Sequence, residues 1–148
     1  MQQRFRMEQV EPEAYKAMYA LEGYIQRAGI EPKLKDLIKI RASQVNGCAY
    51  CINMHTKDAR KMGETEQRIY ALNAWRETPF FSDKERAVLA LTEAVTLISH
   101  NHVPDDVYTE MTKHFTEQEI AKIIMAIVSI NSWNRMGIAL NLMPEQDK

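Results

Sequence analysis

Cys48, Cys51 and His55 spell C-x-x-C-x-x-x-H directly after Asn46-Gly47. Two thiols and an imidazole at this spacing are the parts of a redox-active dithiol with its own base. Positions three and four apart on a helix are neighbours, so a helix beginning at Cys48 carries all three along one face. The helix start also offers free N–H groups and the positive end of the dipole, both of which favour a thiolate. A free cysteine with a pKa near 8.5 is only about 3% ionised at pH 7. A C-x-x-C at a helix start commonly brings one thiol to roughly 3.5–7.5. His55, one turn below Cys51, can accept its proton or, when charged, pair with the thiolate. This reading makes Cys51 the sulfur activated by His55. Cys48, nearer the helix mouth and more exposed, is then the sulfur that closes the disulfide. The first cysteine is the nucleophile in thioredoxin-type motifs, which argues the other way, and spacing leaves the order of attack open. Thioredoxin itself is excluded, because its motif follows a strand. A zinc site of Cys48, Cys51 and His55, with Asp36 or water as fourth ligand, is the rival use of these residues. Against it, the chain has only two cysteines and so lacks the second ligand pair of a structural zinc site.

The elements that must carry this motif are helical throughout. Apolar residues recur at helical spacing nearly everywhere, and the five glycines and five prolines fall mainly between those segments. The pattern predicts a helix after Pro12 that stops at Gly29, and a second from near Pro32 to near Gly47. A third runs from about Cys48 to Met62, with Gly63 as its stop. A fourth covers roughly Glu64 to Arg76. Ser82 and Glu85 form a capping box ahead of a fifth, Ala87 to Ile98. Pro104 opens a sixth that ends near Phe115. Thr116 and Glu119 cap a seventh that reaches about Leu142. The expectation is one all-α domain of about seven helices over residues 1–148, without repeats or linkers. Between Ile120 and Ile130 the last helix is apolar nearly all round. It therefore either lies at a subunit interface or is wrapped by the other six.

Composition narrows the class. The 148 residues suffice for one ordinary domain, which buries roughly 68–70% of its unfolded surface without disulfide staples. Nineteen basic and twenty acidic side chains leave a formal charge of −1, so no basic field draws in nucleic acid or a membrane surface. Met1 to Val10 lacks the apolar stretch of a signal peptide, and no window approaches the ~20 apolar residues of a spanning helix. The default is the cytosol. Close cysteine pairs there are catalytic or metal-binding more often than structural.

The stretch Leu37-Ile38-Lys39-Ile40-Arg41-Ala42-Ser43-Gln44-Val45-Asn46-Gly47-Cys48-Ala49-Tyr50-Cys51, continued by Met54-His55-Thr56-Lys57-Asp58-Ala59, resembles the alkylhydroperoxidase D-like core of the carboxymuconolactone decarboxylase superfamily. Asn131-Ser132-Trp133-Asn134-Arg135 is similar to the last helix of that group. The resemblance implies an all-helical subunit forming trimers or hexamers, and a cofactor-free thiol peroxidase fed by a hydroperoxide and a dithiol of the lipoamide kind. It makes Cys51 peroxidatic and Cys48 resolving. It also implies a proton relay through a carboxylate twelve residues before the first cysteine, a glutamate in the family and Asp36 here, one methylene shorter. Tyr50 stands where relay members carry a second histidine; it can donate a hydrogen bond to a thiolate but is no base at neutral pH.

Rival readings keep the fold: a redox-sensing or zinc-binding helical oligomer without turnover, or a decarboxylase-like enzyme on a small carbon substrate with His55 as base. His100 and His102 are expected at a helix end and His114 as a helix cap. The nine methionines are read as core packing, and Trp133 and Arg135 first as packing and interface groups.

Overall fold

Local chemistry starts and stops most of the helices in the computed structural model, which describes residues 1–148. Proline at the first position opens α2 (Pro12–Arg27) and α3 (Pro32–Asn46). The capping boxes Ser82–Glu85 and Thr116–Glu119 form in full and open α6 (Asp83–Thr96) and α9 (Glu117–Ala139). Between them lie α4 (Ala49–Lys61), α5 (Glu66–Ala71), α7 (Ile98–Asn101) and α8 (Asp105–Thr112), and α1 (Met7–Val10) precedes them all. No strand is present.

The all-α expectation holds, with more breaks than the seven-helix pattern. The predicted fourth helix divides into α5 and a 3-10 segment, Leu72–Glu77, which is itself kinked at Ala74 (φ −121°, ψ 32°). The kink serves a tertiary bond: Trp75 turns inward and donates to Glu93 Oε1 at 2.9 Å, where Arg41 Nε also donates at 2.8 Å. The fifth predicted helix ends early, at Thr96, and α7 is a separate turn after it. The single turn α1 was not anticipated.

The last helix is the central one. α9 packs against α2, α3, α4, α6 and α8 and buries Ile123, Ile127 and Ile130 among Leu34, Ile38 and Ala42 of α3 and Val88 and Leu91 of α6. Much of its apolar surface is therefore buried within the subunit, while Val128 and Ile138 stay exposed. The opposite side of α3 places Leu37 and Ile40 in a second cluster with Ala59, Leu72, Trp75 and Leu89. With both sides buried, α3 gives its C-terminal end, and the turn that follows, a rigid support. No helix is long and apolar enough to cross a membrane.

Candidate active site

The cysteine motif begins where α3 stops. Gly47 takes the left-handed conformation (φ +71°), which glycine adopts without a Cβ penalty, and the chain turns within one residue. The Cys48 amide reaches back to Ser43 O at 3.0 Å and the Gly47 amide to Gln44 O at 3.2 Å, closing the end of α3. Cys48 is thus not the first helical residue but the N-cap of α4, and its sulfur accepts the amide of Cys51 at 3.4 Å. The two sulfurs form a disulfide, with Cα atoms 5.3 Å apart.

Cys48 is not the more exposed partner. It is 1% exposed and Cys51 3%, because the end of α9 lies over both. The α9 backbone closes there with Leu142 N bonded to Gly137 O at 3.0 Å and Asn141 in the left-handed region (φ +53°). The helix therefore stops at Ala139 rather than Leu142, and Leu142 folds back beside Gly137. Gly137 is buried, and a methyl group placed on it would meet Cys48 Sγ at 3.4 Å and Cys51 Sγ at 3.8 Å. Glycine within a helix costs about 0.5–1 kcal/mol relative to alanine.

A buried amide network ties the turn to α9. Asn46 Nδ2 donates to Asn131 Oδ1 at 2.9 Å and Asn134 Oδ1 at 3.0 Å. Asn134 donates to Ser43 Oγ at 3.0 Å, and Asn131 to Thr96 Oγ1 at 3.0 Å. Arg135 turns back onto Asn131 Oδ1 at 2.7 Å. Asn46 was not legible as a structural anchor. The available signal was a pair of asparagines three apart on an otherwise apolar helix.

His55 lies half-buried on α4, one turn past Cys51. Burial first, and then the Lys39 ammonium, hold its imidazole down to about 4, against the smaller opposing pull of Asp58 and Glu22. With the two sulfurs bonded to each other, the imidazole is therefore neutral at physiological pH. Lys39 is itself buried, its ammonium 2.8 Å from Glu22 Oε1, while Ser129 donates to Glu22 Oε2 at 3.2 Å. Burial raises the Glu22 carboxyl, but the Lys39 bond and charge outweigh it and leave the group below its ordinary value. Neither Glu22 nor Lys39 stood out in the sequence as a site residue. Lys39, inward-facing between Ile38 and Ile40, was the available signal.

Asp36 is half-buried on α3, where burial raises its carboxyl, and no hydrogen bond joins it to His55. Tyr50 lies half-buried in the first turn of α4, close enough to add a small push to the Tyr15 phenol. That phenol is raised to about 12, chiefly by its hydrogen bond with Tyr19, and both rings stand edge-on to Trp133. His100 and His102 stay exposed at the end of α7. No three His, Cys, Asp or Glu side chains are arranged to hold a metal ion.

Residues 12–94, more than half of the chain, match the carboxymuconolactone decarboxylase family. The chain belongs to that family. This member of the carboxymuconolactone decarboxylase family is 49% identical over 140 residues to the uncharacterized protein YdfG of Bacillus subtilis strain 168, across 95% of both chains. Its fold superposes with TM-score 0.97 and 41% identity on a protein of unknown function from Agrobacterium tumefaciens, described as a candidate antioxidant defence protein AhpD, over 99% of this chain and 100% of that one. The debrominase Bmp8 shares the fold at TM-score 0.82 and 24% identity, over 90% of this chain and 72% of that one. Within the family the chain is alkylhydroperoxidase D-like.

Proposed function

We propose that this protein is a cytosolic thiol peroxidase that cycles through the Cys48–Cys51 disulfide. The observation that carries the reading is a disulfide-forming pair at the mouth of α4 with a neutral imidazole one turn further along the same helix. His55 takes the proton of the Cys51 thiol, and the thiolate attacks the distal oxygen of a hydroperoxide. The S–O bond forms as the O–O bond breaks, and the leaving alkoxide takes the proton held by His55 and departs as the alcohol. The Cys51 sulfenic acid is then attacked by the Cys48 thiolate; the S–S bond forms and water leaves. An external dithiol, of the lipoamide kind, returns both sulfurs to thiols and is itself oxidised.

The position of Cys48 supports the resolving role. Its sulfur receives the Cys51 amide, and that bond would stabilise the Cys48 thiolate both as attacker of the sulfenic acid and as leaving group during reduction. Asp36 and Tyr50 belong to the proposal as proton-relay and hydrogen-bonding groups, and assembly as a trimer or hexamer as its quaternary form. The test is hydroperoxide consumption by the reduced protein with a dithiol donor, in the wild type and in Cys51→Ser, alongside light scattering for the assembly. Turnover that disappears in Cys51→Ser supports the reading, and full turnover in that variant ends it.

A further inference from the structure

Lys39, flanked by Ile38 and Ile40 on α3, is only 9% exposed. Its ammonium meets Glu22 Oε1 at 2.8 Å, and Gln26 and Ser129 donate to the same carboxylate at 2.9 and 3.2 Å. Stability does not call for this pair, since apolar residues of similar volume in place of a buried ion pair are often neutral or stabilising. Its place in the fold accounts for it. After the turn at Gly47, α4 packs back along α3, and the Cys48 amide bonds to Ser43 O across that turn. Counting away from this bond, Lys39 is four residues back on α3, while Cys51 and Ile52 are three and four residues forward on α4. Lys39 and Ser43 share one side of α3, and Ser43 Oγ donates to Lys39 O at 2.6 Å. The lysine thus lies at the level of the second cysteine, where its charge bears on His55, Asp36 and Glu22 alike.

The other ionisable groups around the dithiol are His55 itself, the carboxylates Asp36 on α3, Glu22 on α2 and Asp58 on α4, and the Tyr50 phenol inside the motif. Of the arginines at the end of α9, Arg135 turns back onto Asn131 Oδ1 and Arg4 bonds to the Ala139 carbonyl. Lys39 is therefore the buried cation beside the sulfurs.

We propose that Lys39, fixed in place by Glu22, is a positioning residue for the reaction: its ammonium is the standing counter-charge of the Cys51 thiolate. The thiol proton still passes to His55, and Lys39 neither gives nor takes one. A fixed cation spares the site from relying on an imidazolium, which burial and that same cation disfavour. The inference rests on the thiol peroxidase reading only for what the thiolate attacks.

The experiment titrates the Cys51 thiol by thiolate absorbance in the reduced full-length chain, with Cys48→Ser as the parent so that one sulfur reports. Lys39→Met keeps the length of the side chain and removes the charge, whereas Lys39→Arg keeps the charge. The Cys51 midpoint should rise by about one pH unit in Lys39→Met, the lower end for loss of a neighbouring opposite charge because Glu22 already offsets part of it. In Lys39→Arg it should stay at the parent value. Below the parent midpoint, single-turnover oxidation by hydrogen peroxide should slow about tenfold in Lys39→Met and recover at high pH, following the thiolate fraction. Loosened packing would instead slow it at every pH. An unchanged midpoint in a folded Lys39→Met, or an equal rise in Lys39→Arg, overturns the proposal. If Lys39→Met does not fold, the double variant Lys39→Met, Glu22→Leu decides, and a midpoint equal to the parent's overturns it. A parent thiol that ionises as expected but is not oxidised by hydrogen peroxide removes the peroxidase reading, while the titrations still decide the role of Lys39.

Discussion

The amide of Cys51 donates to the sulfur of Cys48 across 3.4 Å, so one cysteine of the pair caps the helix that carries the other. The cap position exposes the Cys48 sulfur to the free N–H groups of the first turn, and the resulting field favours a negative charge there. In reduced Cys51→Ser the Cys48 thiol is therefore expected to ionise below the ordinary value of about 8.5. Thiolate absorbance against pH measures it; a value equal to that of an unfolded peptide would remove the cap from the account.

Replacing Cys48 by serine leaves the attacking sulfur and its base in place but takes away the resolving thiol. One oxidising equivalent should be consumed, after which the Cys51 sulfenic acid accumulates and steady turnover with a dithiol drops by about tenfold or more. Dimedone trapping followed by mass mapping distinguishes this from a variant that never reacts.

His55 predicts a pH dependence of stability in the oxidised protein. Its folded pKa of about 4 lies below the ordinary 6.5. Between these values the unfolded chain holds a proton that the native state does not, so stability rises with pH through this window and is lost as pH falls. Urea titrations at pH 4.5 and 6.5 should show a smaller difference in His55→Gln than in the wild type. An equal difference would mean that other groups set the slope.

The Lys39–Glu22 pair makes a directional prediction about folding. Glu22→Ala leaves the Lys39 ammonium buried without its partner and should cost about 3 kcal/mol, the lower end for such pairs because Glu22 keeps some exposure. The double variant Lys39→Met, Glu22→Leu should recover most of that loss. Chemical denaturation of the three proteins tests the coupling, and additive losses would deny it.

The Asn46 clamp should be felt at the sulfurs. Asn134→Leu removes one of the two acceptors of Asn46 Nδ2 and the donor to Ser43 Oγ, while Asn46 keeps Asn131 and Ser43 keeps Lys39 O, at about 0.5–1.5 kcal/mol per lost bond. A loosened turn should also speed reduction of the disulfide by dithiothreitol. A stability loss with no change in that rate would confine the network to folding.

Much of the architecture was legible residue by residue. Pro12, Pro32 and the capping boxes at Ser82 and Thr116 act within one helical turn, and each opens a helix as expected. Gly47 and the dithiol motif are equally local. The breaks at Ala74 and Leu97 were not legible, since each depends on what the neighbouring helices offer; at Ala74 the indole of Trp75 gives up helical register to reach Glu93, 18 positions away.

By itself, the order of residues determined the helical class, most helix ends and the placing of two thiols and an imidazole on one short helix, because those outcomes depend on neighbours within four positions. Only the tertiary structure decided that α9 is central, that its end covers the sulfurs, and that Asn46 meets Asn131 across 85 positions while Glu22 meets Ser129 across 107. Which of many apolar helix faces meet is set by packing the whole chain at once. The polar groups caught between them must then find partners wherever that packing puts them.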